Sequence, residues 1–113
     1  MNPQFDHEKL HVYEHAQLDR ASTSVPLNIA EGNGKFAMHD RCRFIEIARG
    51  SALECAACLD VLVAKGLCDR DRIAPGKKDL FGILSRLTGL QNSRLARVQE
   101  EPGEYHLAAG VEE

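Results

Sequence analysis

The strongest constraint on the fold is an apolar stripe that recurs every three or four positions over residues 37–66. It consists of Phe44, Ile47, Ala48, Ser51, Ala52, Cys55, Cys58, Leu59 and Leu62. This spacing predicts a long helix with one broad apolar face. A second set, Ile45, Ala56 and Val63, widens that face, so we expect a helix that is covered on more than one side.

A similar stripe predicts a second long helix over residues 79–99. It is formed by Leu80, Ile83, Leu84, Leu87, Leu90, Leu95 and Val98, with Gln91 at its centre. Gln91 requires a polar partner if it is buried. Pro75 and Gly76 interrupt the approach to this helix, so Asp79 is its expected N-cap and residues 69–74 form a separate helical turn.

The first third of the chain, residues 7–33, is also helical in pattern, but its apolar face shifts. Leu10, Tyr13 and Gln17 share one face, with Asp6 as the expected N-cap. The following set points about 80–100° away at ~100° per residue, and it comprises Leu18, Ala21, Val25 and Ile29. Either one bent helix or two helices meeting at a tight junction accounts for the shift. Pro26 predicts a kink.

These elements predict an all-α fold in a single domain, because 113 residues leave no room for two domains. We expect a flexible N-terminus at 1–6, a helical bundle over 7–100 and an acidic flexible tail at 101–113. The composition, 43% apolar and 27% charged, is ordinary for a globular protein. Apolar runs are far shorter than a membrane span and no secretory signal is readable, so a cytoplasmic location is expected.

Metal chemistry has two candidate motifs, and neither is favoured. Cys55 and Cys58 have the spacing of half a zinc site, but no second ligand pair follows, so buried reduced thiols are expected. His7, His11 and His15 recur every four residues, and two histidines four apart on a helix can both reach one metal ion. They are weak candidates as ligands, and a solvated or interface row is the preferred interpretation. No cofactor is implied. No hydroxyl or thiol has a readable catalytic partner, so the chain is expected not to be an enzyme.

Nucleic-acid binding has one candidate patch, in the mildly basic segment 67–100, which carries a net charge of +3. Its members are Lys77, Lys78, Arg86, Arg94 and Arg97. They spread over nearly half of the circumference of the last helix, and few aromatic residues interleave them for base stacking. The whole chain carries −3, so a solvated helix face is the preferred interpretation.

Polar residues that stand among apolar ones carry the most information. They are Asn28, Glu31, Arg43, Arg49, Ser51 and Glu54, together with Glu46. The strings Asn-Ile-Ala-Glu-Gly (28–32) and Ile-Ala-Arg-Gly-Ser-Ala-Leu-Glu (47–54), at this separation, resemble a four-helix-bundle family whose founding members are encoded within 23S ribosomal RNA intervening sequences. The resemblance covers roughly residues 9–98.

The resemblance implies an antiparallel up-and-down four-helix bundle that assembles into a ring, often of five subunits. It also implies kinship with accessory proteins of diversity-generating retroelements, which bind a reverse transcriptase and nucleic acid. This chain departs from the family in one respect, because about twenty-five residues of first helix and loop are reduced to Glu14, His15 and Ala16. We therefore expect a shortened first hairpin and an apolar groove that a partner or another subunit covers.

The expected function is that of a non-enzymatic oligomeric bundle, with a pentamer favoured, that binds or assembles macromolecules in the cytoplasm without contacting a membrane. A protein or RNA partner is possible under this expectation. The alternative is an RNA- or retroelement-associated protein that binds nucleic acid through the basic patch.

Overall fold

The computed structural model describes residues 7–100, and the side chains of residues 12–97. It contains three α-helices: α1, His7–Asn33; α2, Met38–Ala64; and α3, Arg70–Glu100. No strand occurs among residues 7–100, which confirms the all-α prediction. The predicted N-cap Asp6, the N-terminus 1–6 and the tail 101–113 lie outside the described residues.

The predicted four-helix bundle is wrong in its helix count, because three helices account for residues 7–100. The reason is chain length at the shortened first hairpin. A reversal between two helices needs a loop of two or more residues and helices of several turns. With only Glu14 to Ala16 at that point, the chain continues as one helix.

Helix α1 runs unbroken through the expected shift of its apolar face and through Pro26. The face that it buries is in phase from Glu14 through Ala21 to Val25, all of which are at most 7% exposed. Tyr13, by contrast, is 58% exposed. The burial pattern therefore does not shift near residue 16, and the buried face begins with the Glu14 carboxylate rather than with Tyr13 of the predicted face.

Helix α2 matches its predicted bounds closely and ends at a left-handed glycine. Gly66 has φ +72°, a conformation that residues with a Cβ rarely adopt. The amide of Leu67 donates to the carbonyl of Leu62 at 2.9 Å, so the cap satisfies a carbonyl of the last turn. The chain then reverses into α3.

Helix α3 is longer than predicted, because Pro75 lies inside it rather than before it. The separate turn over residues 69–74 and the N-cap at Asp79 are therefore wrong. Pro75 is the sixth residue of α3, so its missing N–H removes only one of the first intrahelical hydrogen bonds. The backbone carbonyl of Asp69 accepts from the amides of Arg72 and Ile73, at 3.1 and 3.3 Å, and these are the first hydrogen bonds of the helix.

Helix α2 is the central element, since both other helices pack against it. A core cluster joins Ile45 and Ala48 of α2 to Leu87 of α3, with Ile29 of α1 and Ile83 packed against it. Among the described residues, the backbones of α1 and α3 do not approach each other closely. No described helix is both long enough and apolar enough to cross a membrane.

Candidate interaction site

The contact between α1 and α2 contains a hydrogen-bonded polar cluster. The hydroxyls of Ser24 and Ser51 are 2.7 Å apart. Asn28 donates from Nδ2 to the carbonyl of Ser24 at 2.8 Å and to its Oγ at 2.9 Å. Two of the predicted motif residues, Asn28 and Ser51, are thus brought together through Ser24. The bond between the two hydroxyls joins the helices in a defined register, and the bonds from Asn28, which lie within α1, hold Ser24 in place.

Two ion pairs flank this cluster on the same pair of helices. Arg20 pairs with Glu54, whose side chain is 41% exposed, so this motif carboxylate lies at the edge of the contact rather than inside it. Lys65 donates from Nζ to Oε1 of Glu14 at 2.7 Å. The Glu14 side chain is only 7% exposed, so this pair holds a buried carboxylate against the end of α2.

The remaining motif residues do not join a common site. Glu31 lies 3.6 Å from Lys35 in a local ion pair. The Arg43 guanidinium stands over the ring of Phe44 at 5.3 Å. Arg49 donates from Nη1 to Oε1 of Gln91 on α3 at 3.4 Å, and Gln91 thereby has a polar partner within the apolar stripe. These three contacts lie apart from one another, so Glu31, Arg43 and Arg49 do not form one site.

A close backbone approach explains the glycine of the first motif string. A Cβ placed on Gly32 would lie 3.0 Å from Cβ of Phe44 and 3.4 Å from the carbonyl oxygen of Arg41. Any larger residue at 32 therefore requires α1 and α2 to separate.

The cysteines lie where the sequence predicted, as unpaired thiols in or beside the core. Cys42 and Cys55 are buried, whereas Cys58 and Cys68 are half-buried. Burial raises the pKa of the Cys55 thiol, and Cys58 and the Glu54 carboxylate raise it further. Burial also raises the pKa of Cys42, against a lowering by the Arg94 guanidinium. These thiols are therefore protonated and poorly nucleophilic near neutral pH.

The histidine row is only partly described. His15 is exposed, and the side chains of His7 and His11 lie outside the described residues. Over residues 12–97, no three His, Cys, Asp or Glu side chains come together in a geometry that suits a metal ion.

The predicted basic patch is divided by the structure. Lys78, Arg86 and Arg97 are exposed. Lys77 is engaged with Asp60, its Nζ lying 2.7 Å from Oδ1. Arg94 is half-buried, donates to Oδ1 of Asn33 at 3.3 Å, and has a second terminal nitrogen, Nη1, that is buried without a hydrogen-bond partner. Two of the five cations are thus tied to the fold.

A cavity of about 750 Å³ lies between the end of α2 and the start of α3. The α2 wall is formed by Asp60, Val63 and Ala64, and the α3 wall by Arg70, Ile73, Ala74, Lys77, Lys78 and Phe81. None of the described residues of α1 lines it, so the cavity lies on the side of α2 that α1 does not cover.

Sequence reasoning missed four residues that shape these contacts: Glu14, Lys65, Asp60 and Phe81. A signal for Glu14 is its position, seven residues before Ala21 and therefore on the same helix face. Phe81 has no such signal, because it lies outside the apolar stripe of α3.

Comparison with known proteins gives one match. No curated protein and no solved structure matches the chain. A sequence family described as the 23S rRNA-intervening sequence protein family matches residues 3–89, more than three quarters of the chain. The match includes both motif strings, all of α1 and α2 and the first two thirds of α3. The chain therefore belongs to the 23S rRNA-intervening sequence protein family.

Proposed function

We propose that this protein is a non-enzymatic assembly module that binds further copies of itself, with five subunits favoured, and presents the assembly to another macromolecule in the cytoplasm. The family supplies the expectation of a ring. The structure supplies the single observation that supports self-association, which is the unequal cover of α2.

The centre of the apolar stripe of α2 is covered, whereas its two ends are not, and Ile47 near its start is 44% exposed. Ala48, Ala52 and Cys55 are at most 2% exposed. Leu59 and Leu62 continue the same stripe but are only half-buried. Burying apolar surface is favourable by roughly 25 cal/mol per Å², so a second copy that covers this end gains stabilisation.

Large apolar side chains are also exposed on all three helices. They include Leu27 at 61%, Leu53 at 49%, Leu95 at 44% and Leu90 at 38%. Isolated exposed apolar residues are common in monomers, but contiguous patches mark interaction surfaces. Together with the partly covered end of α2, they favour self-association over a monomer.

Absolute mass by light scattering after size exclusion tests this proposal. The expected result is about 62.5 kDa, five times the 12.5 kDa chain mass, and a mass near 12.5 kDa at all protein concentrations contradicts it. We expect Leu62→Glu to lower the mass, because a carboxylate is costly on a covered apolar surface. Ser22→Glu, at an exposed polar position of α1, is the matched control, and circular dichroism checks that both variants remain helical.

The second candidate function is RNA or retroelement-associated nucleic-acid binding. The exposure of Lys78, Arg86 and Arg97 favours it, since these cations are open to phosphates. A gel shift over a series of salt concentrations tests it, because phosphate contacts strengthen as salt falls. Absence of a shift at low salt contradicts this candidate, and weaker binding by Arg86→Ala than by the unchanged protein supports it.

A further inference from the structure

The cavity between α2 and α3 has the form of an open groove with an apolar floor. Val63 and Ile73 form the floor, and Phe81 stands at one end with 54% of its surface exposed. The lining residues of α3 run from Arg70 to Phe81, which is about 16 Å at 1.5 Å per residue. This length equals three turns of a helix laid along the groove.

The rim of the groove is cationic. Arg70 and Lys78 are exposed on the α3 side. Lys77 bonds to Asp60 across the groove, and its Nζ also stands 5.8 Å from the centre of the Phe81 ring. Three cations and one carboxylate therefore surround an apolar floor, which leaves a net charge of +2 for an occupant to neutralise.

We propose that this groove binds an acidic amphipathic helix of a partner protein. Apolar side chains of that helix, spaced at three and four residues, pack on Val63, Ile73 and Phe81. Its carboxylates face Arg70 and Lys78. This is the helix-in-groove mode of recognition, in which a preformed apolar channel accepts one face of a helix. The inference deepens the proposed function and rests on it, because it names the partner that the assembly presents itself to.

Three features favour an acidic helix over the other ligand classes. A small molecule is usually enclosed over most of its surface, whereas this groove is open along its length. Single-stranded RNA stacks its bases on aromatic faces, but Phe81 is the one aromatic residue of the lining, and Lys77 already stands over its ring. Charge complementarity excludes a basic helix, which the rim repels.

The test uses a fluorescent synthetic peptide of about sixteen residues with Leu at helical spacing and Glu on the flanks. Binding to the full chain is followed by anisotropy. We expect binding that weakens with salt, and no binding by the same peptide with Lys in place of Glu. Phe81→Ala and Lys78→Glu are each expected to weaken binding about tenfold or more. Tyr13→Ala on α1 and Arg43→Glu near the start of α2, which are exposed and do not line the groove, are the matched controls and leave the affinity unchanged.

Four outcomes of the binding experiments overturn the proposal. Two are absence of peptide binding at low salt and equal binding by Phe81→Ala. The other two are tighter binding of a short RNA that competes for the same residues, and tighter binding of a peptide of residues 101–113, which makes this chain's own acidic segment the occupant. A fall in assembly mass in Phe81→Ala also overturns it, because the groove is then a contact between copies. Failure of the proposed function is separate, since it appears as a monomeric mass of the unchanged protein.

Discussion

The two interhelix contacts of this protein differ at their centres. Between α1 and α2, the hydroxyls of Ser24 and Ser51 meet, and two ion pairs flank them. Between α2 and α3, Leu87 packs on Ile45 and Ala48, and the polar pairs Arg49–Gln91 and Lys77–Asp60 lie beyond this apolar centre. Hydrogen bonds are directional, whereas apolar packing is not. The centre of the first contact therefore specifies register, and the centre of the second is held by apolar packing.

The comparison also explains where the molecule stays open. Directional contacts and the close approach at Gly32 hold α1 along α2. The apolar contact with α3 is tight around Leu87 and looser toward the start of α3, where the groove lies. Binding surface is thus available on the side whose packing is least specified.

The largest expected effect tests the packing of Leu87 at the centre of the α2–α3 contact. Leu87 is 4% exposed, so Leu87→Ala removes buried methylenes and leaves a cavity. We expect a loss of ~2–5 kcal/mol in the free energy of unfolding, measured by urea denaturation. Leu90→Ala is the control and costs less, because Leu90 is 38% exposed. Equal losses in the two variants mean that Leu87 does not belong to a packed core.

The next effect tests the close approach of α1 to α2 with two glycine substitutions that are expected to change the free energy of unfolding in opposite directions. Gly32→Ala forces the helices apart at Phe44, and we expect a loss of ~1–3 kcal/mol. Gly50→Ala has no atom within 4 Å of the new Cβ, and it stabilises the interior of α2 by about 0.5–1 kcal/mol. Urea midpoints that move in opposite directions confirm the contrast. A gain in stability in both variants contradicts it.

A smaller effect tests whether the polar cluster acts as a unit. We expect Ser24→Ala and Ser51→Ala to show a coupling free energy of ~0.5–1.5 kcal/mol in a double-mutant cycle. The reason is the shared hydrogen bond between the two hydroxyls. Ser24→Ala paired with Ser85→Ala, on the exposed part of α3, is the control cycle. Additive losses at Ser24 and Ser51 show that the hydroxyl contact contributes no net stability.

The smallest effect concerns the buried thiol of α2. Burial raises the folded pKa of Cys55 above its ordinary value of 9.0, so the neutral thiol favours folding. This contribution is fully present below pH 9 and is lost as pH rises toward the folded pKa. As pH rises above 9, the stability of the unchanged protein is expected to fall relative to Cys55→Ala, as urea denaturation at each pH measures. Parallel pH profiles contradict the burial of the thiol.

Periodicity predicted the helices well where the buried face is made of apolar residues. The bounds of α2, the glycine that ends it and the polar partner of Gln91 all follow from spacing and from the cost of burying an unpaired amide. Prediction failed where a tertiary contact overrides a local signal. Glu14 is charged yet buried, because Lys65, fifty-one positions away in the chain, compensates it.

The candidate site was less predictable than the fold. The sequence indicates Lys77 and Lys78 as part of a basic patch, but it contains no signal that Val63 and Phe81 line the same groove. That juxtaposition depends on how α3 lies against α2. The interruption expected at Pro75 and Gly76 also hid it, since residues 70–78 were assigned outside the long helix.

The central place of α2 has a consequence for the order in which the chain acquires structure. Each helix packs on its neighbour in sequence, so the interhelix contacts span short stretches of chain and the contact order is low. Chains with local contacts fold rapidly. During synthesis, α1 and α2 can pair as soon as residue 66 has left the ribosome, before α3 has emerged from it. The nascent hairpin then exposes the apolar face of α2 until α3 arrives, and that interval is when premature association between neighbouring chains competes with folding.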